Sequence, residues 1–333
     1  MPAKKVSKPT DFLCISGRIK SKEIRLVDNA TVEKMIEATD IMEILKLLGE
    51  CGYDVGGLNG AEKDLATQLI EKSRAETAEA ISQAGHGLFD CFLYPNDYLN
   101  LKVALKNELL ADPRDIYVKG GSVSVDELKE AVVRRELAPL TEAMRAGVLE
   151  ATELCSKTGN SQYIDIVLDR YCFVDMARAA RETGNGFLEG YVRTYINVAN
   201  VKALLRLRKM GKPVEFAAEV FFDGGTLPAE RYAQVYDVPE EQLPNQLSAI
   251  SGLVSRAIED LAKGGMSEFE RYCDSYLMDY VRTARYIPYG AEVPMAYLLA
   301  KEAEYKAISM IVTGRQTELP AQAIKERMRA LYV

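Results

Sequence analysis

The chain holds one histidine, His86, and any Ser-His-Asp or Cys-His device would have to be built around it. It stands between Gly85 and Gly87 with no partner for proton transfer nearby in sequence, and it reads as a turn residue. Six cysteines, at 14, 51, 91, 155, 172 and 273, are scattered singly. With no CxxC pair and no histidine at zinc-site spacing, they read as reduced core residues, since free Cys behaves as a small buried hydrophobe. The glycine pairs Gly120-Gly121, Gly224-Gly225 and Gly264-Gly265 lack the GxxxxGK[ST] pattern that cradles a phosphate. An all-α prenyl-transfer site would want a DDxxD motif. The nearest stretch, Asp112-Pro113-Arg114-Asp115, reads instead as a helix stop. No catalytic, cofactor-binding or metal-ligating residue is predicted.

The polar residues whose spacing demands an explanation lie in apolar helices. From Tyr191 to Met210 apolar residues recur at helical spacing, for instance Tyr191, Tyr195, Val198, Val201 and Leu205. Asn197, Asn200 and Lys202 sit inside that pattern. Asn is a poor mid-helix residue because its amide competes for backbone hydrogen bonds. Two of them three apart share a face, so both amides are expected to bond a neighbouring element. The motif recurs. Asp97, Asn100 and Lys102 lie 100 residues before Asn197, Asn200 and Lys202, and Lys301, Glu304 and Lys306 lie 104 after them. An internal structural role and direct partner contact are both open to these positions.

Other markers keep similar displacements. Asp169-Arg170-Tyr171-Cys172 is echoed by Glu270-Arg271-Tyr272-Cys273, and Gly120-Gly121-Ser122 by Gly224-Gly225-Thr226. Gly186 and Gly290 stand fourteen places before Asn200 and Glu304, with Gly87 one place out of register in the first copy. Gly314 followed by Leu319-Pro320 is a worn third form of the glycine turn. Three divergent copies of one helical unit result, over 1-115, 116-222 and 223-333.

The elements follow from apolar periodicity and caps. Residues 1–10 form a loose polar tail, and Phe12 to Leu26 a first helix. Thr39 or Asp40 caps a helix through Ile41, Ile44, Leu45 and Leu48, which Gly49 stops. Gly52 to Gly60 is a glycine-rich turn, and Ala61 to Gln83 a long helix. Pro95 marks the first turn of the first Asn-x-Lys helix. Ser124 and Glu127 form a capping box. Helices are predicted over Thr141–Ser156, Gln162–Thr183, Gln242–Lys263, Ser267–Arg285, Val293–Val312 and Pro320–Tyr332. No stretch alternates long enough for a sheet, so the chain is all-α.

At 333 residues and 48% hydrophobic content the chain can bury a sizeable core. A net charge of −7 with interspersed signs argues against nucleic acid as a partner. No apolar run is long enough to span a membrane, and the start MPAKKVSKPTDF lacks a signal peptide's apolar core. The expectation is a soluble, cytoplasmic chain that reaches a membrane only through other proteins. Arg206, Arg208, Lys209 and Lys212 end the central helix. They compensate its dipole or form a docking patch for an acidic surface.

These residues resemble a known family, the C subunits of bacterial and archaeal V/A-type ATPases, whose counterpart in eukaryotic vacuolar ATPases is the d subunit. The likeness rests on the three D/N-x-x-N-x-K helices, the Gly-Gly-Ser/Thr turns, and the start from Phe12 to Glu23. It rests as well on Tyr289 to Glu304 and on the end from Ile324 to Val333. Lys301, at the first polar position of the third copy, departs from the pattern. The resemblance implies three similar helical domains arranged as a funnel about a pseudo-threefold axis. It also implies a non-catalytic socket without cofactor, peripheral to the membrane, between the D and F subunits of the rotor shaft and the membrane proteolipid ring. Such a chain would be a monomer in isolation, present once per hetero-complex, and would serve ATP-linked proton or sodium transport. The rivals are an α-helical repeat scaffold for other partners and, further off, an all-α enzyme.

Overall fold

The computed structural model describes residues 8–60, 62, 64–85, 87–110 and 115–333. His86, the Asp112-Pro113-Arg114 part of the predicted helix stop and the first seven residues of the polar tail lie outside these. Among the described residues the chain forms fifteen α-helices and no strand, so it is all-α. They are α1 (Leu13–Glu23), α2 (Asn29–Glu37), α3 (Ile41–Glu50), α4 (Leu65–Ile81), α5 (Asp90–Leu110), α6 (Val125–Arg134), α7 (Glu142–Thr158) and α8 (Gln162–Thr183). The remainder are α9 (Gly186–Lys209), α10 (Val214–Val220), α11 (Ala229–Gln234), α12 (Leu243–Gln246), α13 (Ser251–Arg282), α14 (Glu292–Gln316) and α15 (Ala321–Arg327).

Five of the fifteen helix starts are set by side-chain caps. Asp28, Asp40, Thr141 and Asn185 accept from the backbone of Thr31, Glu43, Met144 and Leu188, and Ser124 with Glu127 makes a capping box on α6. Each such cap contributes about 1 kcal/mol. Several boundaries differ from the sequence reading. Pro95 lies inside α5, which begins at Asp90, and α9 begins at Gly186, where Asn185 caps it. Periodicity missed α2, whose Val32, Met35 and Ile36 are buried on one face. The two helices expected over 242–263 and 267–285 meet in α13, which begins only at Ser251, after the short α12 and a 3-10 turn, and is broken at Gly265 with φ 66° and ψ −157°. That backbone region is essentially restricted to glycine. The last helix stops at Arg327, beyond which Arg282 takes the Leu331 carbonyl and pins the buried Leu331 and Tyr332.

The chain divides into two compact units. One is Gly87–Val254; the other joins residues 8–85 to Ser255–Val333. In the first, α8 packs against α5, α7 and α9, and α6 lies on α5. In the second, α14 packs against α1, α2, α3 and α4. It is buried on nearly every side, from Val293 and Met295 through Tyr305 and Ile308 to Val312, as expected of a helix at the centre of a core. Ser16 of α1 hydrogen-bonds both backbone groups of Gly290, fixing the turn that starts α14. Gly314 leaves room for Ile324 of α15, since a Cβ there would meet Ile324 at 2.9 Å.

Candidate functional site

The first two polar positions of each copy, Asp97 and Asn100, Asn197 and Asn200, Lys301 and Glu304, are buried and hydrogen-bonded. Asn100 is 0% exposed; its Nδ2 donates to the Val118 carbonyl at 2.8 Å, and its Oδ1 accepts from the Val118 N–H at 2.9 Å. Asn200, also 0% exposed, does the same to Phe222, with both bonds at 2.8 Å. Each carboxamide therefore reads one residue of a neighbouring extended segment as a strand would, through its N–H and its C=O together.

Three residues earlier on the same helix face a second polar group holds the same segment. Asp97 Oδ2 accepts from the Ser122 N–H at 2.9 Å and hydroxyl at 2.6 Å, and Oδ1 accepts from the Val123 N–H at 3.2 Å. Asn197 Oδ1 accepts from the Thr226 N–H at 2.7 Å, and its Nδ2 donates to the Thr226 hydroxyl at 2.7 Å. The Gly-Gly turns follow from this approach. Gly120 and Gly224 take φ of 88° and 100°, which L side chains rarely adopt. Their neighbours Gly121 and Gly225 have no space for a Cβ, which would lie 2.0 Å from Asp97 Oδ1 and 2.6 Å from Asn197 Oδ1.

The third copy makes its clasp with the start of the chain. Glu304, 2% exposed, accepts from the Val27 N–H at 3.4 Å and from the Tyr53 hydroxyl. Lys301 donates to Glu304 and to the Tyr53 oxygen, each at 2.8 Å, with its ammonium 4.2 Å from the Tyr53 ring centre. Burial, then the Glu304 carboxylate, pushes the Tyr53 hydroxyl far up, so it remains a donor. Each clasping helix thus secures the segment leading into a short helix: α5 before α6, α9 before α11, and α14 before α2.

The lysines that close the motif differ. Lys102 pairs with Asp169 at 2.5 Å, one turn from Lys106 with Asp165 at 2.7 Å. Lys202 is half-buried and Lys306 exposed. In the basic cluster, Arg206 and Lys209 are exposed. Arg208 donates to the Tyr236 and Val238 carbonyls, both at 2.7 Å, and the Lys212 ammonium lies 5.5 Å from the Phe216 ring centre. Sequence reasoning missed Asp175, 0% exposed, which accepts from Tyr98, Thr141 and Arg178 at 2.9, 2.5 and 2.7 Å. Its signal was an acidic residue at a buried position of α8. Among the described residues no group of three His, Cys, Asp or Glu could hold a metal ion, and no helix is long and apolar enough to cross a membrane.

The family described as ATP synthase (C/AC39) subunit matches residues 15–327. The chain belongs to that family, the C subunits of V/A-type ATPases. It is similar, at 23% identity over 319 residues, to the C subunit of the V-type sodium ATPase of Enterococcus hirae, covering 94% of this chain and 97% of that one. It is 22% identical over 342 residues to the C subunit of the A-type ATP synthase of Thermococcus gammatolerans, with 98% and 93% covered. The C subunit of the V-type ATP synthase of Deinococcus radiodurans is 20% identical over 342 residues, with 97% and 92% covered. All three clasps of this V/A-type ATPase family member lie inside the matched span.

Two predictions test the clasps. Replacing Asn200 by Leu leaves the Phe222 N–H and C=O unsatisfied and is expected to cost ~1–3 kcal/mol. Gly225→Ala, which drives a Cβ into Asn197, is expected to lower stability too; an unchanged urea midpoint in both variants would sink the account. The second prediction concerns pH. Burial, opposed by the Ser122 and Val123 hydrogen bonds and reinforced by Asp175, raises the Asp97 carboxyl above its ordinary value of 3.8. The folded chain therefore takes up that proton at higher pH than the unfolded chain, and ionised Asp97 subtracts from stability at neutral pH. The deficit shrinks as pH falls through the raised value towards the unfolded one. Asp97→Asn lacks this titration, so as pH falls from neutrality towards the ordinary carboxylate value of about 4 the natural chain should gain urea resistance relative to the variant. A constant difference between the two would contradict it.

Proposed function

We propose that the chain is the non-catalytic central-stalk component of a rotary V/A-type ATPase, the socket between the D and F shaft subunits and the membrane proteolipid ring. The observation that carries this reading is the family match over nearly the whole chain, with relatives covered almost end to end and named as C subunits of a sodium ATPase and of ATP synthases. In this reading three similar helical domains form a funnel about a pseudo-threefold axis, present once per complex on the cytoplasmic side. The three-copy division at 1-115, 116-222 and 223-333 is supported by the clasps, which recur with the same chemistry in the first two copies. A coupler must pass torque without bending. Densely packed helices have low compressibility, and the clasped turns tie them together.

The basic cluster is proposed as one docking patch, presented by the exposed Arg206 and Lys209 while Arg208 and Lys212 hold the adjoining turn. Reversing both exposed charges, Arg206→Glu with Lys209→Glu, should weaken binding of a D/F-type shaft complex in calorimetry. The natural contact should also fade with salt as the Debye length falls to ~3 Å at 1 M. Equal affinity for the double variant would leave these charges as helix-end compensation.

The coupling role is tested by omission. A reconstituted complex lacking this chain should still hydrolyse ATP in its soluble part while ATP-driven ion uptake into vesicles stops, and adding the chain back should restore it. Full ion pumping without the chain would overturn the reading.

A further inference from the structure

Beside the third clasp, inside the unit that joins the two ends of the chain, lies a cavity of about 390 Å³. Lys301 lines it, with a side chain only 8% exposed, and so do Lys22 and Arg25 from the end of α1 and the turn after it. Among the described residues the side chains of Lys22 and Arg25 have neither an ion-pair nor a hydrogen-bond partner. Arg25 lies over Gly52, where a Cβ would stand 3.3 Å from its Cδ. Lys301 spends two of an ammonium's three N–H donors on Tyr53 and Glu304.

Hydroxyls add further donors. Ser73 and Thr77 both line the cavity and both hydrogen-bond the Tyr305 oxygen, at 3.1 and 2.8 Å. A hydroxyl that accepts from the phenol has its own O–H left to donate. Against the cations stand Glu76 on the wall and Glu304, which Lys301 already neutralises. The carbonyl ends of α1 and α3 point the same way, since α3 finishes at Glu50 beside Cys51 and Gly52. The side chains leave one positive charge in excess, and the helix ends reduce it. A ligand that suits this balance is small, weakly anionic and rich in acceptors. The volume falls at the lower end of the range for small-molecule sites.

We propose that this cavity binds a soluble phosphate-bearing molecule no larger than a nucleoside monophosphate, with the phosphate between Lys22, Arg25 and the remaining N–H of Lys301. Arg25 supplies the planar fork suited to phosphate oxygens, and Lys22 a mobile point charge. Tyr297 and Leu26 offer the less polar wall for a sugar or base. Occupancy would brace the clasp that ties α14 to the start of the chain. The proposal stands apart from the coupling role, because binding is read on the isolated chain.

The test titrates the full chain by calorimetry with inorganic phosphate, pyrophosphate and adenosine monophosphate, with ionic strength fixed by chloride. At least one should bind saturably with Kd at or below about 1 mM, and the same ligand should raise the unfolding temperature by mass action. Lys22→Ala with Arg25→Ala touches no buried contact, so its unliganded unfolding temperature should match the natural chain while affinity falls at least about tenfold. Absence of saturable binding for all three ligands to about 10 mM overturns the proposal, and so does undiminished binding by the double variant.

Discussion

A polar group buried in an apolar helix must have every donor and acceptor satisfied, and both units depend on how that demand is met. An orphaned amide costs more than its hydrogen bonds return, because the net worth of each bond is small while the desolvation penalty is not. Asn100 and Asn200 meet the demand by taking both backbone groups of one residue, Val118 or Phe222. The exchange is mutual. The extended segments at 118 and 222 are short of ladder partners, as any isolated strand would be, and the carboxamide supplies one. Register follows, because a slip by one residue would turn the paired N–H and C=O away.

Once the helix has drawn the segment in, the rest of the turn is constrained. Asp97 and Asn197 approach so closely that Gly121 and Gly225 have no room for a side chain, while the preceding glycines take a positive φ. The Gly-Gly-Ser/Thr signature is therefore the other half of the helix motif, twenty-odd residues away in sequence and in contact in space. Asp97 with Ser122 and Asn197 with Thr226 show two solutions to one geometry. The hydroxyl donates to a carboxylate in one and accepts from an amide in the other. A hydroxyl that can reverse its role lets the position hold either residue.

This also explains what the sequence made legible. Long amphipathic helices, Gln162–Thr183 among them, showed through apolar spacing, and Asn197 and Asn200 stood out because amides do not belong in such a pattern. Their partners were hidden, since nothing in a linear pattern says which backbone carbonyl an amide will find. Glu304 was the extreme case: Val27 and Tyr53 lie at the other end of the chain. The short helix α2 escaped because one turn and a half of apolar spacing is weak against its polar flanks. Pro95 misled because a proline reads as a helix start, whereas α5 begins at Asp90 and carries Pro95 in its second turn, where it removes one backbone hydrogen bond.

The third clasp differs in kind from the other two. Its segment carries no glycine pair, its acceptor is a glutamate, and a lysine replaces the first acid or amide. A buried ion pair adds little net stability, because desolvation of both charges consumes most of their attraction. What Lys301, Glu304 and Tyr53 can supply is geometry: a closed set of hydrogen bonds in which the tyrosine both accepts and donates. Neutral amides suffice where helix and segment are close neighbours in sequence, since little loop entropy opposes their meeting. Joining residue 304 to residue 27 closes most of the chain, so the wrong pairings are many and a directional, charge-matched set discriminates among them better than an amide would. The ionic clasp falls where the chain has most need of a unique partner.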